Sequence, residues 1–333
     1  MKAAQISRYS KQIDVDVNEI SVPSIKANEV RVKVKAAAVN PLEMLIMSGS
    51  IRLIQDYKFP QTLGNESSGI VDQVGAAVSE FKKGDSVYGR LPASQIGGFA
   101  DYVAVNAQAI WHMPQNLDFD QAAAAPLTGL TAYQAFHEEL RAQSGETVFI
   151  PGGSGSFGQM AVPIAKAMGL KVIVSGSGRA KEEMLAMGVD TYLNYKSENY
   201  WELVSDVDYV IDTLVANEIE RELSVLRPGG KLVSLKAGPN KQFAVSNHFS
   251  WWKQLLFSLV GSKIDKLAKK SDVEYRFIFV RADGNQLREI TKIIEENDIK
   301  PAVNPREFKI QDINEALNLV RKGSANGKVI IKF

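Results

Sequence analysis

Glu146-Thr147-Val148-Phe149-Ile150-Pro151-Gly152-Gly153-Ser154-Gly155-Ser156-Phe157-Gly158, running on through an apolar-periodic segment to Met168-Gly169, is the stretch around which the chain is organised. Thr147 to Ile150 is a short, largely apolar run, then comes a glycine-rich turn, then a helical period: strand, tight turn, helix. Gly153, Gly155 and Gly158 fit G-x-G-x-x-G. In that pattern one glycine permits the turn, the next lets backbone approach a pyrophosphate, and the third lets the helix pack on the strand. With Ser154, Ser156 and Phe157 between them, they form a candidate phosphate cradle, the anion sitting where unpaired N–H groups and the helix dipole favour negative charge. Glycine-rich turns are common, so the surrounding sequence decides whether this one is a cradle.

Working outward, Lys171-Val172-Ile173-Val174 supplies a second strand and completes a βαβ unit. Further strands are expected at Thr191 to Asn194, Val207 to Asp212 and Lys231 to Leu235, the last after the turn Arg227-Pro228-Gly229-Gly230. Strands alternating with helices give an α/β fold with a doubly wound parallel sheet. An NAD site usually carries Asp or Glu roughly 20 residues past the motif, at the tip of the second strand, to hold the ribose 2′-hydroxyl. Here the tip reads Ser175-Gly176-Ser177-Gly178-Arg179, with no acid. Ser177 and the planar charged fork of Arg179 suit a 2′-phosphate, which favours NADPH as the cofactor. The alternative for Arg179 is a solvated residue at a helix start.

The chain's 333 residues are enough for two domains, and 39 basic against 38 acidic side chains argue against nucleic acid as a main partner. There is no cysteine, which excludes disulfides and thiolate zinc sites. Met1 to Ile6 is strand-like and lacks the plan of a signal peptide, so a soluble cytoplasmic protein is expected.

From residue 1 to about 120 the pattern is β-rich, as in Val30-Arg31-Val32-Lys33-Val34, where the valines share one face. Glycines at 64, 69 and 75 with Glu66 between them suggest a sharply turning sheet. The spacing G-x-E-x-x-G-x5-G from Gly64 to Gly75, followed by Lys83-Gly84-Asp85-Ser86-Val87-Tyr88, resembles the signature of the medium-chain dehydrogenase/reductase superfamily. The resemblance extends along the chain: Ala122 to Tyr133 is similar to that family's passage into its nucleotide domain, Leu193-Asn194-Tyr195-Lys196 to its third nucleotide-domain strand, and Asn326-Gly327-Lys328-Val329-Ile330 to its closing strand. It implies a GroES-like catalytic domain made of residues 1–121 and 298–333, a Rossmann NADPH-binding domain over 122–297, and a homodimer or homotetramer.

Departures from the family pattern choose the branch. Zinc-dependent members have His where Asn65 stands and a cysteine ligand that is missing, and His112, His137 and His248 are not spaced as ligands, so no metal site is expected. The chain resembles the zinc-free quinone oxidoreductases and, among them, alkenal or enone reductases; Asn40-Pro41 matches that branch, with Glu43 in place of its usual Asp. Reducing a simple ketone builds charge on oxygen and benefits from a Lewis acid, whereas a quinone or α,β-unsaturated carbonyl delocalises it. Hydride transfer to such a small molecule is the expected activity, with no membrane span. Asn40 would hold the substrate or the nicotinamide ribose, and Tyr57 or water would donate the proton. Asn40 could equally stabilise a turn before proline, and Tyr57 could be structural. Candidate coenzyme contacts are Thr128 and Thr131, Ala237-Gly238 at the sheet's C-terminal edge, Lys328 in the closing strand and, as in the family, Tyr195 at the adenosine phosphate. A coenzyme-binding sensor or scaffold without turnover is the alternative function. Tyr192 and Lys196 satisfy Tyr-x-x-x-Lys in strand-like sequence, where they would not meet as on a helix. Finally, residues 251, 252, 255, 256, 259 and 260 recur at helical spacing as an apolar stripe, read as packing between domains or subunits, a substrate lid, or a membrane-surface foot.

Overall fold

The structure is a computed structural model that describes residues 1–214 and 217–333. These form two compact units, Met1–Leu130 with Arg281–Phe333, and Thr131–Val280.

The first unit contains a seven-stranded and a three-stranded sheet. Its longest strand, β1 (Glu29–Val39), buries Val30, Val32 and Val34 at 0–3% exposure while Lys33 faces out, as its alternation requires. The strand ends in Ala36-Ala37-Ala38, whose small side chains let Ala123 and Ala124 pack directly on the sheet. A short helix, α1 (Pro41–Met47), follows at once. β1 pairs antiparallel with β2 (Glu66–Val74), and β2 with β3 (Ser86–Arg90). Gly69 is needed in β2 because a Cβ there would run into the Lys33 carbonyl oxygen. Helix α2 (Pro126–Gln134) carries the chain out of this unit.

In the second unit, β4 (Thr147–Ile150) leads through the glycine turn into α3 (Ser156–Ala167) and on to β5 (Lys171–Gly176), β6 (Thr191–Asn194), β7 (Val207–Asp212) and β8 (Leu226–Ser234). After α4 (Trp251–Lys270), β9 (Glu274–Phe277) completes an all-parallel sheet in the order β6-β5-β4-β7-β8-β9. Order reverses beside β4, so the glycine turn lies at the switch point where ligands bind in open α/β sheets. Arg227 to Gly230, read above as a turn, belongs to β8 as an irregularity in its pairing with β7.

The stripe on α4 does not face the core. Phe257, Gly261 and Ala268 are its buried side, with Phe257 against Phe243 and Phe249, and Gly261 so close to Asn240 that a Cβ would clash. Trp251, Trp252, Leu255, Leu259 and Val260 are 48–77% exposed.

The chain then returns to the first unit through α5 (Gly284–Glu296) and closes with β10 (Val329–Lys332), antiparallel to β1. Helix α5 falls on the nucleotide-domain side of residue 297 in the sequence reading, yet it packs in the first unit. The Tyr88 hydroxyl donates to the Leu287 carbonyl at 3.2 Å and bonds the Thr291 hydroxyl at 2.9 Å, and a Cβ on Gly284 would meet the Ile110 carbonyl. No helix among the described residues is long and apolar enough to cross a membrane.

Candidate active site

Two sets of residues carry chemistry, one in each unit. In the second, Gly155 is the N-cap of α3 in an extended conformation, with no side chain capping the helix, so the first N–H groups of a twelve-residue helix are left for a ligand. A Cβ on Gly155 would meet nothing, whereas one on Gly158 would overlap the Gly153 carbonyl oxygen: open space on the ligand side, backbone contact on the other. Gly155 and Ser156 are exposed, Ser154 and Phe157 intermediate, and Gly153 and Gly158 buried. At the tip of β5 a Cβ on Gly176 would strike Ser154 and the Tyr192 hydroxyl, so this glycine completes the cradle. The Tyr192 hydroxyl donates to the Ser177 carbonyl at 2.6 Å, fixing the tip, while Lys196 stays exposed, so the Tyr-x-x-x-Lys pair is not assembled as an acid and its partner. The Ser177 hydroxyl accepts from the Arg179 amide at 3.4 Å, and the Arg179 side chain is exposed with no hydrogen bond or ion pair among the described residues. Tyr195 is 59% exposed beside this tip. Gly238, with φ of 116° and open space over its Cα, follows β8; its carbonyl accepts from the Tyr275 hydroxyl, and the Ala237 amide donates to Ser234. These features, an uncapped helix N-terminus, an open glycine and an acid-free strand tip, suit a phosphorylated dinucleotide.

The first unit holds a buried polar cluster. Asn40 precedes Pro41 at the start of α1, but its side chain turns away from the helix: Nδ2 donates to Glu66 Oε1 at 2.9 Å, and Oδ1 accepts from Lys328 Nζ at 2.6 Å. Lys328 also pairs with Glu66 Oε1 at 3.0 Å, and Glu66 Oε2 accepts from the Leu127 amide at 2.6 Å. Lys328 is therefore held within this cluster, and sequence reasoning placed it among the coenzyme contacts without seeing this partner set. Glu43 accepts from the Asn40 amide and from Asn65 Nδ2, both at 2.7 Å. Asn40, Glu43, Asn65, Glu66 and Arg90 are all at or below 2% exposure. Tyr57, 8% exposed, is anchored by its amide to the Tyr9 hydroxyl and Asp56; burial pushes its own hydroxyl up to about 12, with the Arg90 charge opposing. Thr128 is buried and hydrogen-bonds back to the Ala124 and Ala125 carbonyls, and Thr131 is buried on the same helix.

Burial pushes the Glu43 carboxyl up to about 7, against the hydrogen bonds from Asn65 and Asn40. A carboxyl that holds its proton more tightly when folded loses stability for the native state as pH rises through 4.5 towards 7, in total about 3 kcal/mol. Between pH 4.5 and 8, unfolding free energy from urea titrations should fall by about that much more in the wild type than in Glu43→Gln. The difference cancels the second buried acid, Glu222, pushed up by burial to about 9. Parallel pH profiles would show that Glu43 carries no such shift.

With both sets of residues described, likeness to other proteins can be read. A family described as alcohol dehydrogenase GroES-like domain matches residues 26–115, and one described as zinc-binding dehydrogenase matches 187–331. The quinone oxidoreductase of Rattus norvegicus is 34% identical over 223 residues, 65% of this chain and 67% of that protein. The chain belongs to the medium-chain dehydrogenase/reductase superfamily. As a medium-chain dehydrogenase/reductase it is an NAD(P)-dependent oxidoreductase. It is also 27% identical to the NADPH-dependent alkenal/one oxidoreductase, chloroplastic, of Arabidopsis thaliana, over 97% of this chain and 78% of that protein. The solved quinone oxidoreductase of Coxiella burnetii matches with a TM-score of 0.83 and 25% identity, covering 100% of this chain and 99% of the other.

The zinc in one family description does not suit the residues here. Where a metal would need free thiolates or imidazoles, Asn65 donates to Glu43 and the Asn40 oxygen already faces an ammonium, Lys328 Nζ. No group of three or more potential metal ligands occurs among the described residues. Arg90 and the pairing of Lys328 with Glu66 escaped the sequence reading, which noted Glu43 only as a departure from the branch's usual Asp; the one available signal was an arginine where β3 should be buried.

Proposed function

We propose that the chain is an NADPH-dependent reductase of conjugated acceptors, delivering hydride to a quinone or an α,β-unsaturated carbonyl without a metal. The observation that carries this reading is the buried cluster, which sets Asn65 and a paired ammonium where a metal-dependent relative needs ligands and leaves two Arg90 N–H donors without a partner among the described residues. Bound at the glycine turn, the coenzyme supplies the hydride from its nicotinamide ring. Donors alone suffice when the acceptor spreads the incoming charge over its own π system, and they do not replace a Lewis acid for a saturated ketone. The Asn40 amide is engaged at both ends, by Glu66 and Ala38 through Nδ2 and by Lys328 through Oδ1, so its role in this reading is to fix those two buried charges in place. The Tyr57 hydroxyl, protonated throughout the neutral range, is the candidate proton donor, with water as the other.

The absence of a carboxylate at the β5 tip, together with Ser177 and the exposed Arg179, supports NADPH over NADH, in keeping with the name of the Arabidopsis relative. Arg179→Glu should weaken NADPH binding tenfold or more and leave NADH within about twofold, since one bidentate charged contact is lost and one repulsion gained. Equal losses for both coenzymes would remove Arg179 from the phosphate site.

The function itself is tested by following NADPH oxidation, in protein dialysed against a chelator, with a benzoquinone, a 2-alkenal and a saturated ketone. Turnover of the first two alone is expected. Ketone reduction that appears on adding zinc would overturn the proposal, and coenzyme binding without any turnover would leave a sensor.

A further inference from the structure

Asn40, Glu66 and Lys328 satisfy one another, but the same cluster contains a cation only partly satisfied among the described residues. Arg90 ends β3 directly opposite Glu66 in the antiparallel register, so the two side chains leave the sheet on the same face. Arg90 is 1% exposed, and its Nη1 donates to the Leu91 carbonyl at 2.6 Å. Nε and Nη2, the donors on one edge of the guanidinium, have no partner among the described residues.

The acidic groups near enough to act on Arg90 are already engaged. Glu66 uses one oxygen for Asn40 and Lys328 and the other for the Leu127 amide; Glu43 uses one for Asn65 and the other for the Asn40 amide. Tyr57, the third group whose charge bears on Arg90, offers a hydroxyl in no hydrogen bond among the described residues. Leaving a buried charge without its partner is among the costliest defects a fold can carry. Two parallel N–H groups in a rigid plane are the donor geometry that best matches an anionic oxygen.

We propose that the Nε–H and Nη2–H groups of Arg90 receive the carbonyl oxygen of the conjugated acceptor and hold the negative charge that hydride transfer places on it. This rests on the reductase reading above and adds which residue stabilises the product of the hydride step. With an enone, the hydride pair forms the new bond at the β-carbon, the C=C pair moves between the α-carbon and the carbonyl carbon, and the C=O π pair moves onto oxygen. That oxyanion lies on the Arg90 edge. The α-carbon then takes a proton from Tyr57 or water, and the carbonyl re-forms.

A nitrophenol tests this without turnover, because its phenolate, like the enolate, carries charge from oxygen into a π system and has a visible absorption band. Titrating 4-nitrophenol against the full chain saturated with NADP⁺ should show the bound phenol ionising at least one pH unit below its value in water, a tenfold preference for the anion. Arg90→Gln should abolish that shift and lower kcat for enones about 100-fold, the scale on which oxyanion donors act. Arg90→Lys, which keeps charge but loses the planar pair, should fall between.

An unshifted bound phenol in the wild type overturns the proposal even if no variant folds. An Arg90→Gln protein that keeps both the shift and the wild-type kcat overturns it too, and leaves the fork to a buried water. Reduction of conjugated acceptors without phenolate capture sinks this inference alone. Phenolate capture with no reduction of any acceptor sinks the reductase reading, and with it the identity of the bound oxygen.

Discussion

Gly158→Ala is expected to abolish measurable coenzyme binding and to destabilise the protein by about 1–3 kcal/mol, the usual cost of forcing atoms into filled space. The added methyl would overlap the Gly153 carbonyl oxygen, which is backbone and cannot swing aside, so either the turn after β4 or the first turn of α3 must shift. Both hold the N–H groups on which a pyrophosphate would rest in the proposed site. Gly155→Ala is the informative contrast. Its Cβ meets nothing and its backbone is extended, so stability should stay within about 0.5 kcal/mol of wild type. The methyl nevertheless projects into the space the proposed coenzyme site would use, and coenzyme affinity should fall at least tenfold. Urea unfolding and a fluorescence titration with NADPH on both variants separate the two effects. If Gly158→Ala binds coenzyme normally, the cradle is not at this turn.

The second large effect is expected from Lys328→Met. Glu66 is fully buried, and Lys328 is the cation paired with it, at 3.0 Å. Removing one partner of a buried pair strands the other charge and typically costs 3–5 kcal/mol. The loss should be read from urea unfolding at neutral pH, and Glu66→Gln combined with Lys328→Met should recover part of it, because the double variant removes both members of the ion pair together. A loss below about 1 kcal/mol in the single variant would mean that Lys328 is not committed to Glu66, which would return it to the coenzyme contacts.

The second unit was largely legible because its signals are local. A strand, a glycine turn and a helical period lie within the two dozen residues from Glu146 to Gly169, and the β5 tip follows soon after. Helix α4 shows where periodicity stops. Its six large apolar residues look like a core face, yet the side that packs is marked by Phe257 and by two small residues, Gly261 and Ala268, which carry almost no hydropathy signal but permit close approach.

The buried polar cluster was legible only residue by residue. Asn40 and Tyr57 were found from their surroundings in the sequence, but Asn40 meets Lys328 across 288 positions, a distance over which spacing carries no information. Arg90 closes β3, whose last four residues are all buried, and it is the register with Glu66 that sets it beside the cluster. The same holds for α5, whose own sequence does not say which unit receives it; the Ile110 carbonyl that excludes a side chain at Gly284 does.

The most direct measurement follows the hydride itself. A simple enone is reduced with NADPH carrying deuterium at the transferred position of the nicotinamide, and the product is examined by NMR. A saturated ketone with deuterium on the β-carbon and the carbonyl intact is the expected outcome. Deuterium on the former carbonyl carbon, in an allylic alcohol, would contradict the metal-free conjugate reduction on which the whole reading of this chain stands.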